Sequence, residues 1–492
     1  VIRDVDRLAS RAFDLLVVGG GIYGLSIAYD AAQRGLAVAL IERNDFGSGA
    51  SFNHLRTIHG GLRYLQTLDI RRARESVRER RTLARIAPDA VRPLRFVLPL
   101  SRSLTRGTVA MRAGFALDSI VSFDRNRGVD PGLELPSGRV ISEAEALQRF
   151  PALRGRDLTG VATWHDYVTT ESDRLTFAFA AAADKHGAVL ANYVEAAALL
   201  VDGAHVRGVR ASDRLTGRAL EISARMTVNA AGASVARLTS ALSRPPRAPM
   251  LKAMNLVTRR EAGDEAVGSR SHSGRYLFLV PWRGRALFGT WESAGPCETD
   301  DASVTEVEVA AFMSEINQAF PSLRLTMADV ALVHRGIVPA VVRGNGTVTL
   351  EKKERIHDHA FDGTEGIISV SGTKYTTARA CAERATDLVL KRLRMSPVAC
   401  RTATTPLIER GSLQALSHSH LDDRLRRAVR EEMALTLCDA MLRRTPAGAV
   451  GFPGESVASH AADVVGRELE WSEDRRRDEV DRLRAFYAPA SL

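Results

Sequence analysis

The run Phe13–Val18 (FDLLVV) is aliphatic and enters glycines at once, the pattern of a short parallel strand buried on both faces. A helix is predicted over Ile22–Arg34, with Ala28, Ala31 and Ala32 small enough for close packing and Gly35 as the stop signal. Val38–Ile41 (VALI) then reads as a second strand ending at Glu42, which completes a βαβ unit. Further on, Ala188–Ala198 reads as strand and turn, and Val206–Ala211 with Ala219–Ile222 as a hairpin. Met226–Asn229 reads as a buried strand running into Ala230, Ala231 and Gly232. Tyr276–Pro281 and Ala286–Thr290 are expected to pair in a second, more antiparallel sheet. From about Leu413 to Tyr487 the period becomes helical, so a separate helical domain is expected after the connection Pro397–Pro406. The basic stretch Arg71–Arg85 carries Glu75 and Glu79 at helical spacing and reads as a solvated helix face.

Composition narrows the class. A chain of 492 residues, 45% hydrophobic, builds two or three packed units, and disorder is excluded as the default. The longest apolar stretch, Leu175–Ala183, is far short of the roughly 18 residues a membrane span requires. Arg3, Asp4, Asp6 and Arg7 do not form a secretory leader, so a cytoplasmic location is expected. Cys297, Cys381, Cys400 and Cys438 lie apart with no C-x-x-C pair, which points to a reducing compartment and to neither a metal clip nor a disulfide framework. The net charge of +10 favours anionic partners: nucleic acid, lipid headgroups or a phosphorylated small molecule. Direct nucleic-acid binding is set aside because no recognised module is present.

Gly19, Gly21 and Gly24 form G-x-G-x-x-G straight after the first strand, where tight turn, close backbone approach and helix packing all require residues without a Cβ. The helix N-terminus then faces a pyrophosphate. Glu42 lies 18 residues past Gly24, where a carboxylate accepts from both ribose hydroxyls. NAD and FAD both satisfy this pattern. The segment that follows (DFGSGASFNHLRTIHGGLRYL) is rich in glycine and serine and suits a long wrapped cofactor, which favours FAD. A second backbone-amide site is expected at Ile367–Thr377 (IISVSGTKYTT), read as a strand, Gly372 and a helix start.

His59, Arg63 and Tyr64 lie within six residues and offer an imidazole, a bidentate anion clamp and a phenol. Each alone also suits a structural role. Lys374 follows Gly372 and Thr373, and a cation at a helix start is unfavourable without an anion to face.

These segments resemble the FAD-dependent glycerol-3-phosphate dehydrogenases and oxidases. The likeness rests on DLLVVGGGIYGLSIAYDAAQRGL, IHGGLRYL, VNAAGASV, LVPWRGRALFGTWE, SGTKYTTARACAE and EEMALTLCDAMLRRTPAG, spread over nearly the whole chain. It implies an α/β fold: a Rossmann-like FAD-binding domain (1–100, 161–242, 345–395), an antiparallel-sheet substrate domain (101–160, 243–344) and a C-terminal helical domain (396–492). It implies hydride transfer from the secondary alcohol of a small anionic substrate to the flavin, with quinone or oxygen as the open choice of acceptor. Peripheral contact with the inner face of a membrane is compatible with that family, as is a flavin-binding surface protein without turnover. The resemblance places His59, Arg63, Tyr64 and Lys374 in the substrate pocket. It sets the cofactor against Gly19, Gly21, Ile22, Tyr23, Gly24, Glu42, Arg43, Ser51, Gly60 and Gly61, then Val194, Ala231, Gly232, Gly336, Gly372, Thr373, Lys374 and Tyr375. No metal is implied.

Two departures stand out. Where the family reads S-G-V-R-P-L, this chain has Arg335-Gly336-Ile337-Val338-Pro339-Ala340, so its strand arginine is replaced by Val338. Arg335 is the nearest substitute, but three residues along a strand turn a side chain to the other face. A different phosphorylated or carboxylated alcohol, or an amine, is the alternative substrate. The second departure is Ser51-Phe52-Asn53-His54-Leu55-Arg56, where His54 stands in a region through which some relatives link FAD covalently and Arg56 replaces a frequent lysine.

Overall fold

The computed structural model describes residues 1–103, 107–149, 158–242, 248–297, 302–344 and 346–488. The expected domain limits at 243 and 345 and the C-terminal limit at 492 lie outside the described residues.

Two sheets organise the molecule. The first is ordered Arg355–Asp358, Ile367–Ser371, Ala219–Asn229, Phe13–Val18, Val38–Ile41, Val189–Ala191. Its inner strands run parallel, with Phe13–Val18 in register between Val38–Ile41 and the end of Ala219–Asn229. The two segments read separately from the sequence, Ala219–Ile222 and Met226–Asn229, form one strand. Its first half pairs antiparallel with His205–Asp213 and its second half parallel with Phe13–Val18. The helix Ile22–Gln33 packs between Ser172–Lys185 and Ala378–Arg392, and its Ala28, Ala31 and Ala32 are buried in that contact. Small side chains let three helices approach one another over the same sheet.

The second sheet is ordered Val348–Leu350, Val330–Val342, Met250–Glu261, Arg285–Glu292, Tyr276–Trp282, Glu265–Arg270, Arg92–Leu100, Gly160–Val168, Thr57–Ile58. Its ladders are antiparallel except Glu265–Arg270 against Arg92–Leu100. Hydrogen bonding in this sheet crosses the expected domain limits. Thr57–Ile58, Arg92–Leu100, Val348–Leu350 and nearly all of Gly160–Val168, assigned above to the cofactor domain, hydrogen-bond into the substrate sheet. Pairing partners distant in sequence are invisible to local periodicity.

Helices Ser412–His418, Leu421–Glu432, Glu455–Glu468 and Glu473–Tyr487 form the C-terminal unit, with its own apolar core around Leu425, Met441, Val465 and Leu483. The basic helix Ile70–Ile86 corrects the reading of a solvated face. Only Arg71, Arg78 and Arg85 form an exposed stripe, spaced by seven. Arg80 is buried against Asp166, Glu79 against Arg379 at 2.6 Å, and Arg74 and Arg81 converge on Asp124. Mixed charges at helical spacing look alike whether their partners are water or a neighbouring element.

Candidate active site

The first strand ends in a glycine turn that only its sequence allows. Gly19 sits at φ +109°, and its amide donates to the Ile41 carbonyl at 2.8 Å. A Cβ on Gly24 would overlap the Gly19 carbonyl, so glycine there sets the helix Ile22–Gln33 directly on the strand. That helix has Gly21 at its N-cap and no side-chain cap. The Ser51 hydroxyl accepts from the Ile22 amide at 2.9 Å and ties the serine-rich segment to the helix start. Glu42 is locked at the end of the second strand. One carboxylate oxygen accepts from the Gly20 amide at 2.7 Å and the other from the Asn44 amide at 2.8 Å. Burial raises the Glu42 pKa against the opposing effect of these two amides.

A cavity of about 330 Å³ opens beside this turn and is lined by residues from both sheets. Gly19, Gly21, Ile22 and Tyr23 line its floor, with Glu42, Arg43 and Val194 at one end. Ala231 and Gly232 bound it beside the turn, and Ser51, His54 and Gly336 along the middle. Gly372, Thr373, Lys374 and Tyr375 form the opposite wall, and Phe486 of the C-terminal unit reaches it as well. A Cβ on Gly372 would overlap the Tyr23 hydroxyl, which itself donates to the Lys374 carbonyl at 3.0 Å. The Thr373 hydroxyl donates to the Glu351 carbonyl at 2.8 Å. Lys374 therefore lies in a braced loop and not at a helix start, since the next helix begins at Ala378.

The HGGLRYL segment lies beside this cavity. His59, Gly60, Gly61, Arg63 and Tyr64 are not part of the lining of this cavity. Gly60 donates its amide to Asp166 at 2.7 Å and leaves room for the Arg80 guanidinium, and Gly61 at φ +79° starts the short helix Leu62–Leu65. These glycines shape a turn. The connection to the cavity runs through Lys374, whose ammonium lies 4.2 Å from the Tyr64 ring centroid. The His59 ring is 6.4 Å from that of Tyr64, and Arg72 lies over the same Tyr64 ring at 5.2 Å.

The electrostatics of this corner follow from burial. The Lys374 ammonium is buried without a hydrogen-bond partner among the described residues, and desolvation brings its pKa down to about 8. Desolvation also lowers His59 to about 4, against Asp166 and with help from Lys374, Arg80 and Arg63. Tyr64 is pushed up to about 12. Lys352, which the sequence reading missed, is lowered by burial and then by the nearby charge of Arg63. Nothing in its local sequence signalled that; the loop after Val348–Leu350 carries it there.

Arg335 does not join this corner. Its guanidinium lies 5.3 Å from the ring centroid of Phe486, and burial lowers its pKa. It borders the cavity, as does Val338, which also packs with Leu251, Ala253 and Ala340. The strand position where the resemblance implies an arginine is apolar here.

His54 lines the cavity, stacked on Tyr375 at 4.8 Å. Its Nδ1 accepts from the Arg56 amide at 3.0 Å, and its Nε2 faces the Arg56 guanidinium at 3.4 Å. Both ring nitrogens are thus turned toward Arg56, which counts against a covalent link through His54. Arg56 is wholly buried, bonded to Ser172 and facing His334 at 3.2 Å. A second group missed in the sequence is the buried amide pair Asn53–Asn255, joined at 2.7 Å, which ties the serine-rich segment to the second sheet.

The glycine cradle, the uncapped helix start and the buried acid at the second strand end fit a dinucleotide. Residues 14–388 match the family model described as FAD dependent oxidoreductase, and residues 398–476 the C-terminal domain of alpha-glycerophosphate oxidase. A glycerol-3-phosphate dehydrogenase of Synechocystis is 31% identical over 428 residues, 82% of this chain and 75% of that protein. The chain belongs to the FAD-dependent glycerol-3-phosphate dehydrogenase family. An aerobic glycerol-3-phosphate dehydrogenase of Staphylococcus haemolyticus is 27% identical over 82% of this chain and 72% of its own length. The crystal structure of the glycerol-3-phosphate dehydrogenase from Bacillus halodurans, complexed with FAD, superposes with a TM-score of 0.75 at 24% identity. It covers 99% of this chain and 96% of that one, and shows that the fold is shared. The cofactor of this flavoprotein family member is FAD, and the reaction class is oxidation of a CH–OH donor. No helix among the described residues is long and apolar enough to cross a membrane.

Proposed function

We propose that this protein oxidises the secondary alcohol of glycerol 3-phosphate to the ketone. The observation that carries the reading is the Lys374 ammonium, buried beside Tyr64 at the cavity wall with no hydrogen-bond partner. A desolvated cation without an anion is costly, and a phosphate dianion relieves it. Arg63, Arg72 and Lys352 surround the same corner and supply the charge that the strand loses at Val338. FAD, when bound, accepts the hydride equivalent from the carbinol carbon. His59, neutral above pH about 4, accepts the hydroxyl proton, and Tyr64 stays a phenol that orients the hydroxyl. Glu42 and the amides of the Gly19–Gly24 turn hold the cofactor at its adenosine and pyrophosphate end.

The test is anaerobic reduction of the holoenzyme with a panel of alcohols. Glycerol 3-phosphate bleaches the flavin, and glycerol and amino acids do not. Faster bleaching by another phosphorylated or carboxylated alcohol replaces the substrate in this reading, and bleaching by none overturns it.

The same reading includes peripheral contact with an anionic bilayer and a membrane quinone as acceptor. Its support is an exposed apolar row on and beside the helix Thr108–Val121: Val109, Ile120 and Phe123, with Leu68 nearby and Arg112 on the same face. Cosedimentation with anionic vesicles that is lost in the Phe123→Ser, Ile120→Ser double variant supports docking. Oxygen turnover without any vesicle binding overturns it.

A further inference from the structure

The hairpin at the outer edge of the parallel sheet, Arg355–Asp358 against Ile367–Ser371, contributes no ligand-shaped surface to the cofactor cavity before Gly372. It carries an H-x-H-x-x-D segment instead. His357 ends in the strand, and His359 and Asp362 bracket the short 3-10 turn His359–Asp362. One donor atom from each of His357, His359 and Asp362 lies within 4.8 Å of the other two. His357 Nε2 and Asp362 Oδ2 are hydrogen-bonded at 2.6 Å. His359 is fully buried; its Nε2 pairs with the Ser369 hydroxyl at 2.8 Å, and its Nδ1 is buried with no hydrogen-bond partner among the described residues.

We propose that His357, His359 and Asp362 form a site for a divalent transition metal ion of the zinc class, with water in the fourth position. The donor set decides the class. Two imidazole nitrogens and one carboxylate oxygen suit zinc and its neighbours, whereas calcium and magnesium require mostly oxygen. With His359 Nε2–H donating to the Ser369 hydroxyl, Nδ1 carries the lone pair, the arrangement that orients a ligating histidine. An ion pair between His357 and Asp362 alone accounts for their contact but leaves His359 Nδ1 unexplained. Zinc–nitrogen and zinc–oxygen bonds of about 2.0–2.2 Å put tetrahedral donors about 3.3 Å apart. The His357–Asp362 pair therefore opens by less than an ångström, the wider separations, within 4.8 Å, close by at most about 1.5 Å, and the proton between His357 and Asp362 leaves to solvent as the ion enters.

The surroundings agree. Asp358 is held by Arg392 at 2.5 Å and by the Ala360 amide, so it stays out of the set. The His357 and Asp362 side chains are 42% and 22% exposed, which gives the ion a path from solvent. A bound ion would clamp the 3-10 turn onto the sheet edge and brace the strand Ile367–Ser371, which continues into the loop of Lys374. The site is independent of the alcohol oxidation.

The experiment uses the FAD-loaded protein, stripped with a chelator and dialysed. Zinc titrated by calorimetry binds at one equivalent per chain and raises the melting temperature. Cobalt in its place gives the intense visible band of a four-coordinate ion, to the red of flavin absorption. His357→Ala and Asp362→Ala each abolish that equivalent, the cobalt band and the melting shift, with flavin content retained. Ser369→Ala keeps the stoichiometry and weakens binding about tenfold or more. Absence of a stoichiometric zinc, or binding equal in wild type and in both ligand variants, overturns the site.

Discussion

The Lys374 ammonium rests 4.2 Å from the centre of the Tyr64 ring although the two residues lie in segments at opposite ends of the chain. The contact joins a loop of the parallel sheet, which lines the cavity, to the HGGLRYL turn beside it. Burial lowers the lysine to about pH 8, so its charge is lost as pH rises through that value. kcat/KM for glycerol 3-phosphate is expected to fall above pH about 8. Lys374→Arg moves that limb upward, and Lys374→Met lowers kcat/KM by about 10²–10³, the loss of one buried anion contact. An alkaline limb unchanged in Lys374→Arg removes the lysine from substrate binding. The same shift sets a stability trend in the substrate-free protein. Between pH 8 and about 10 the unfolded chain binds more protons at this lysine than the folded one, so stability rises with pH there. Lys374→Met flattens that rise, which urea unfolding at several pH values measures.

His59 is held neutral by burial down to about pH 4. With the lysine limb this gives a bell-shaped kcat/KM profile whose acid side is controlled by the imidazole. His59→Asn is expected to reduce kcat by about 10²–10⁴ while the flavin spectrum stays intact. Near-normal kcat in this variant assigns proton removal elsewhere.

Glu42 accepts two backbone amides at once. In Glu42→Ala both donors lose their partner, at about 1–3 kcal/mol each if they stay buried. FAD affinity is expected to drop by about tenfold to several hundredfold, measured by fluorescence of the released flavin on dilution.

His54 turns both ring nitrogens toward Arg56. Acid precipitation is therefore expected to leave the yellow cofactor in the supernatant. A yellow pellet whose tryptic peptide carries flavin at His54 contradicts this geometry.

Asp45 is wholly buried and takes Arg443 at 2.6 Å and Arg444 at 2.7 Å, both from the C-terminal unit. The two guanidiniums hold its carboxyl below the ordinary range against the cost of burial. Asp45→Ala leaves the buried Arg444 without a carboxylate and Arg443 with Asp439 alone, a loss of about 3–5 kcal/mol. Chemical unfolding is expected to show that loss, with the C-terminal unit released first to limited proteolysis. Since the depressed carboxyl must be protonated on acid unfolding, its contribution is present above the ordinary aspartate pKa and disappears as pH falls through the folded value.

Much of the cofactor half was legible in the chain. Gly19, Gly21 and Gly24, the helix Ile22–Gln33, the strand Val38–Ile41 and Glu42 all depend on neighbours within some thirty residues. So do the Tyr276–Trp282 and Arg285–Glu292 hairpin and the C-terminal helices. The pocket was legible only in part. His59, Arg63, Tyr64 and Lys374 were named from their motifs, but their relation to one another was not, and Lys352, Asn53 and Asn255 were missed. The charged helix Ile70–Ile86 shows why: Arg80 and Arg78 have the same local surroundings, yet one meets Asp166 in the interior and the other meets water.

The amino-acid order by itself determined where a Cβ is forbidden and where apolar period turns into strand or helix, because those are decided by sterics within a turn or two. Only the tertiary structure decided which cations are deprived of water. Lys374 beneath Tyr64, Arg335 over Phe486 and Arg444 against Asp45, 399 residues away, owe their electrostatics to the desolvation that distant packing imposes.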